Sequence, residues 1–118
     1  PENCAMVGRC GPSLVIESDG SVYPCDFYAL DAWKLRSISD DSLRRMLTGE
    51  REQAFLAESL PIPSACRACR WYSLCRNGCK RERVPETGLN RWCGVHASFF
   101  EYAYPRMREM AEALQKTD

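Results

Sequence analysis

The chain has 118 residues, 45% of them hydrophobic, with 16 basic and 16 acidic side chains that cancel. That length suits one small domain with a modest core, which gains from an added staple. The balanced charge excludes a bulk field for nucleic acid or an anionic membrane, and no apolar run approaches the roughly 18 residues of a membrane span.

The chain opens at Pro1 without a methionine or a charged-then-apolar signal segment, so a cytoplasmic location is expected. Cys4 follows almost at once, where a free terminus would fray, which fits a domain excised from a larger protein. Leu14-Val-Ile-Glu17 and Ser21-Val-Tyr-Pro24 flank Ser18-Asp19-Gly20, and an Asp-Gly pair between short apolar runs predicts a tight hairpin. Its arms carry Cys10 and Cys25 toward the same end, and Pro24, lacking an N–H, places its strand at an edge or stops it. Asp26, next to Cys25, reads on its own as a turn or capping aspartate.

Asp40-Asp41-Ser42 before Leu43, Met46 and Leu47 predicts a capped short helix ending near Gly49. A second short helix carries Phe55 and Leu56 until Pro61 and Pro63 stop it; both helices read as spacer and lid. The stretch 66 to 79 should be turns with at most one helical turn, since Asn77-Gly78 favours left-handed backbone angles. From about Ala97 to Gln115, Phe99, Ala103, Met107, Met110 and Leu114 recur at helical spacing. That face packs on its own domain or on a missing neighbour, with a kink or restart near Tyr104 ahead of Pro105. No internal repeat or low-complexity segment is present.

Eight cysteines stand at positions 4, 10, 25, 66, 69, 75, 79 and 93. Four disulfides would suit the even count, but disulfide-dense folds belong to secreted chains. The two-residue gap between Cys66 and Cys69 lets one turn aim both thiolates at a single centre. Cys79 follows Cys75 so soon that it is the candidate to ligate a different centre, as the last cysteine does in two-cluster ferredoxins. Tetrathiolate sites suit zinc and iron-sulfur centres alike, so ligand type leaves both open. Arg67, Arg70, Arg76, Lys80, Arg81 and Arg83 crowd this run with only Glu82 opposing them. They either tune the charge of a metal centre or form a solvated basic loop. Trp71 and Tyr72 suit a hydrophobic cover better than a base-stacking platform. His96, the sole histidine, is placed to hydrogen-bond a cluster sulfur or to cap the last helix.

With these spacings in view, the chain resembles the SPASM domain found at the C-terminus of many radical S-adenosylmethionine enzymes. Cys10, nine residues, Gly20, four residues and Cys25 fit the first half of that family's pattern; Cys66, Cys69, Cys75, Cys79 and Cys93 fit its C-x2-C-x5-C-x3-C run and final cysteine. Within the family it is most similar to anaerobic sulfatase-maturating enzymes, through the early Cys4, the Val22-Tyr-Pro-Cys-Asp-Phe-Tyr28 stretch and Phe99-Phe100-Glu101-Tyr102.

The resemblance implies two 4Fe-4S clusters, with Cys4, Cys10, Cys25 and Cys79 ligating the first and Cys66, Cys69, Cys75 and Cys93 the second. Zinc or mononuclear iron is the less favoured occupant. By the same resemblance Asp26 is a catalytic general base, which a carboxylate shielded from water beside a cluster would suit. The full enzyme would oxidise a sulfatase cysteine or serine to formylglycine, with a sulfatase peptide and the radical domain as partners. The radical domain's C-x3-C-x2-C motif is missing from these residues, so S-adenosylmethionine belongs to that absent part and the fragment alone should be inactive. Two other readings are a metal-stabilised peptide-recognition module without a redox role and the SPASM domain of a different peptide-modifying enzyme. The expected fold for 1 to 118 is a single small α+β domain organised by metal, with an N-terminal hairpin, short helices, a cysteine-rich loop and a C-terminal helix.

Overall fold

The computed structural model describes residues 3–116, and its α+β order begins with a single helical turn, α1 (Cys4–Val7), capped by the Asn3 side chain. Gly8 ends α1 at φ 78°, a left-handed angle, and a Cβ there would collide with the Arg76 carbonyl. Only glycine combines that angle with so close an approach, and the approach lays the N-terminal segment against the cysteine run.

The hairpin forms around Asp19-Gly20: β1 (Val15–Ile16) pairs antiparallel with β2 (Ser21–Tyr23), Val15 opposite Tyr23 and Ile16 opposite Val22. Gly20 closes the turn at φ 84°, its N–H donating to the Glu17 carbonyl at 2.9 Å. Pro24 does stop β2, yet β2 is not an edge. β3 (Arg36–Ser37), two residues long and so without readable periodicity, pairs on its other side, and β2 becomes the buried centre of the sheet.

The capped helix is α2 (Leu43–Thr48), where Ser42 Oγ accepts from Arg45 N at 3.3 Å. Gly49, in extended conformation, ends α2 and starts α3 (Glu50–Ala57). Beyond the expected role of spacer and lid, α3 contributes to the core through Phe55, which it drives into the centre at 1% exposure. Tyr28 and Trp33 each meet its ring edge-on at 5.1 Å between centroids. Edge-to-face pairs of this kind stabilise by about 0.5–1.5 kcal/mol each beyond the area they bury.

The cysteine-rich stretch holds more helix than expected, with α4 (Ser64–Arg67) at its start and α5 (Tyr72–Cys75) inside it. Then Arg76, Asn77 and Gly78 all take positive φ, at 47°, 65° and 58°. Buried Asn77 holds this reversal: its Oδ1 accepts from Asn90 N at 2.8 Å and its Nδ2 donates to the Gly88 carbonyl at 2.8 Å.

The last helix, α6 (Cys93–Gln115), begins before Ala97 and runs through Pro105 without interruption. It therefore carries Cys93 and His96 on its first turn, correcting the expected restart near Tyr104. Of its apolar stripe only Ala103 is buried; Phe99, Met107, Met110 and Leu114 stay exposed. A 23-residue helix at about 1.5 Å per residue outreaches so small a body. Trp71 anchors its first half, packing on Phe100 at 5.9 Å and Tyr104 at 5.5 Å. Among the described residues no helix is long and apolar enough to cross a membrane.

Candidate metal centres

All eight cysteines are free thiols, so the disulfide alternative falls away. Which thiols feel one another divides them into two groups. Burial raises Cys10 first, and Cys79 and Cys4 add to it; burial raises Cys25 first, and Cys79 is among its further causes. Burial likewise raises Cys66, with Cys93, Cys75 and Cys69 adding, and raises Cys75, with Cys93 and Cys69 adding. A thiol pushed up in this way stays protonated until something compensates its charge, which a bound metal does at the cost of releasing the proton.

The second group has visible walls. Cys66, Cys69, Cys75 and Cys93 line one cavity of ≈ 130 Å³, with Trp71, Tyr72 and Phe100 among its apolar lining. Three short elements place these thiols. α4 presents buried Cys66, the turn after it presents Cys69, whose Sγ accepts from Trp71 N at 3.4 Å, and α5 ends in Cys75. His96 also lines the cavity, its Nδ1 lying 3.5 Å from Cys75 Sγ. Among the described residues, no three or more His, Cys, Asp or Glu side chains converge on a point that one ion would occupy.

The first group draws on three distant segments: Cys4 and Cys10 around the turn after α1, Cys25 beyond β2, and Cys79 just past the left-handed reversal. Cys10 N donates to buried Ser59 Oγ at 2.8 Å, tying that segment to the end of α3. Burial pushes the Tyr28 phenol up to about 12, with Cys79, Cys10, Glu58 and Cys25 adding, so one ring neighbours three thiols of this group.

Asp26 starts a 3-10 turn (Asp26–Tyr28) directly after Cys25. Its Oδ1 accepts from Phe27 N at 3.0 Å and from the Cys25 thiol at 3.4 Å. Within these residues the carboxylate is exposed.

The basic run separates into inward and outward members. Lys80–Glu82 form a 3-10 turn, three residues per turn, so Lys80 and Arg83 point the same way. Lys80 Nζ is buried, 2.9 Å from Glu58 Oε2, 3.1 Å from the Phe55 carbonyl and 3.5 Å above the Phe55 ring centroid, with the Tyr28 and Trp33 rings at 4.7 and 4.9 Å. Three aromatic faces around one ammonium make a strong cation-π site. Arg67 and Arg81 remain exposed, Arg76 donates to the Met6 carbonyl at 3.1 Å, and Arg70 pairs with Glu101 at 3.2 Å. Sequence reading missed Glu52, which is fully buried with Oε1 3.5 Å from Ser13 N and Oε2 without a partner among the described residues. Nothing in its local sequence marks it, because an outward-facing helix glutamate reads the same.

Residues 4–70 match the family model of the SPASM iron-sulfur cluster-binding domain. The chain is 38% identical over 117 residues to a cysteine-type anaerobic sulfatase-maturating enzyme of Clostridium perfringens strain 13, covering 96% of this chain and 32% of that one. It is 30% identical to a serine-type anaerobic sulfatase-maturating enzyme of Bacteroides thetaiotaomicron, covering 97% of this chain and 29% of the relative. Among solved structures it is similar to native anSMEcpe with bound AdoMet, with a TM-score of 0.85, 39% identity and coverage of 93% of this chain and 31% of that one. It is similar also to the same enzyme with AdoMet and the Kp18Cys peptide, with a TM-score of 0.86, 39% identity and coverage of 94% and 32%. The chain thus spans about a third of the length of the relatives it matches.

Proposed function

This chain belongs to the SPASM family of iron-sulfur cluster-binding domains, and from that premise we propose that it holds two 4Fe-4S clusters as the auxiliary-cluster domain of an anaerobic sulfatase-maturating radical S-adenosylmethionine enzyme. Cys4, Cys10, Cys25 and Cys79 hold the first cluster and Cys66, Cys69, Cys75 and Cys93 the second. Residues 1 to 118 are one domain of a longer enzyme whose radical part lies outside them. The observation that carries this is that four of the eight free thiols, Cys66, Cys69, Cys75 and Cys93, line a single ≈ 130 Å³ cavity, while Cys79 neighbours both Cys10 and Cys25. Four thiols lining one largely apolar cavity are a donor set that fits an iron-sulfur cluster.

When bound, the clusters would supply one-electron redox chemistry for oxidation of the substrate. The chain's own side chains do the rest. Thiolates form as their raised protons leave, and four of them make each site anionic. Trp71, Tyr72 and Phe100 keep water from the second site, and His96 offers a hydrogen bond to Cys75 Sγ. Asp26 takes a proton from the substrate side chain; its exposure leaves the carboxylate open to an incoming peptide. The substrate class is a sulfatase peptide whose cysteine or serine becomes formylglycine, in keeping with the names of the relatives and with the peptide bound to the similar structure.

Anaerobic reconstitution followed by iron, sulfide and visible-spectrum analysis tests the centres. Two that reduce and reoxidise reversibly are expected, whereas bound zinc with no visible absorbance would reject the proposal in favour of a structural peptide-recognition module. In the complete enzyme Asp26→Asn should keep both centres and slow peptide oxidation by about 10²–10⁴-fold. Unchanged turnover would remove Asp26 from the mechanism.

A further inference from the structure

Arg83 is the side chain at which the two thiol groups meet. Its Nη1 donates to the carbonyls of Ser59 at 2.7 Å and Pro61 at 3.3 Å, its Nη2 to those of Gly8 at 2.8 Å and Gly78 at 3.0 Å, and its Nε to that of Asn77 at 3.4 Å. Those carbonyls belong to the turn between Cys4 and Cys10, the approach to Cys66, and the reversal between Cys75 and Cys79. Every acceptor is a neutral main-chain oxygen, and among the described residues no carboxylate pairs with this guanidinium. Burial lowers its proton affinity, while Cys10 and Cys79 of the first group and Cys66 of the second raise it. It stays charged nonetheless, because an arginine is effectively always protonated in a protein.

Four other cations of the run, Lys80, Arg70, Arg67 and Arg81, lack this combination. Lys80 is partly neutralised by Glu58 at 2.9 Å, and Arg70 is exposed and paired with Glu101 at 3.2 Å. Arg67 and Arg81 face water, which screens them. A guanidinium held by carbonyls keeps its field, and a fixed positive charge favours whichever state of a neighbouring centre carries one more electron.

Resting on the two-cluster reading above, we propose that Arg83 is a positioning residue shared by both auxiliary centres: its carbonyl fork fixes the segments that carry their ligands, and its uncompensated charge raises the reduction potential of both.

The complete holoenzyme carrying Arg83→Gln or Arg83→Lys tests this, read by potentiometric titration of each auxiliary centre and by iron per chain. Arg83→Gln should keep its iron and lower both potentials by on the order of a tenfold change in the reduced-to-oxidised ratio, about 59 mV for one electron. Arg83→Lys should hold both potentials near wild type while melting earlier, since an ammonium keeps the charge and loses the planar fork. Unchanged potentials in an iron-replete Arg83→Gln enzyme, or movement of one centre alone, would overturn the proposal. If Arg83→Gln sheds iron, the lysine variant decides: wild-type potentials uphold the proposal, while lowered potentials or lost iron there reduce Arg83 to a structural staple. A wild-type enzyme without two auxiliary centres would instead refute the two-cluster reading itself.

Discussion

The two thiol groups are built in opposite ways. Cys66, Cys69 and Cys75 sit within one short stretch and Cys93 joins from the first turn of α6, around a cavity walled by Trp71, Tyr72 and Phe100. Cys4, Cys10, Cys25 and Cys79 come from three remote segments and share their neighbourhood with Lys80, Arg83 and the Tyr28 ring. Closing the longer span from Cys4 to Cys79 costs more chain entropy than closing Cys66 to Cys93, though only by about 1 kcal/mol because the cost grows logarithmically. The larger difference is in what supplies the geometry. Backbone turns present the second group, whereas the first exists only once the sheet, α3 and the left-handed reversal have assembled.

The strongest test of that contrast pairs Cys79→Ala with Cys69→Ala in the holoprotein. Each should cost half of the auxiliary iron. Only Cys79→Ala should also abolish the cooperative melt followed by circular dichroism, since the centre proposed for it would clamp distant segments and binding energy there is folding energy. Equal melts for the two variants would erase the distinction.

A smaller effect is expected at the aromatic cage beside the first group. Phe55→Ala removes the ring between Tyr28 and Trp33 and beneath Lys80 Nζ, and should destabilise the holoprotein to denaturant by about 3–5 kcal/mol. Iron should then be lost first from the group that includes Cys10 and Cys79. Loss first from the Cys66 group would show that the cage supports the wrong centre.

The smallest effect concerns pH. Burial raises Glu52 above its ordinary range, Ser13 N and Lys80 only partly opposing it. A carboxyl that holds its proton more tightly folded than unfolded contributes stability that declines as pH rises from the unfolded value near 4.5 through its raised folded value. Glu52→Gln, which cannot ionise, should flatten that decline in denaturant midpoints taken across mildly acidic pH. An unchanged slope would mean that Glu52 is not its source.

The hairpin, the Ser42-capped helix and the cysteine pattern were legible because each is local: an Asp-Gly pair, a capping hydroxyl and fixed thiol spacings carry their own geometry. β3 was not, since two residues have no period. α6 began earlier than its apolar stripe because its first turn is occupied by Cys93 and His96, which packing against a cavity places and hydrophobic periodicity does not report. Asp26 was picked out by a neighbouring motif, but its exposure depends on what the rest of the fold leaves open around it.

Sequence by itself determined the cysteine inventory, the family, the hairpin and the Ser42-capped helix, because thiol spacing and short-range backbone preferences do not depend on distant residues. Tertiary structure alone decided which cations of the basic run face inward, how Arg83 reaches carbonyls from three segments, and that Phe55 and Glu52 are core. Those outcomes depend on a 3-10 turn aligning positions 80 and 83 and on burial. Burial is a property of the whole packed chain, which no stretch of sequence states on its own.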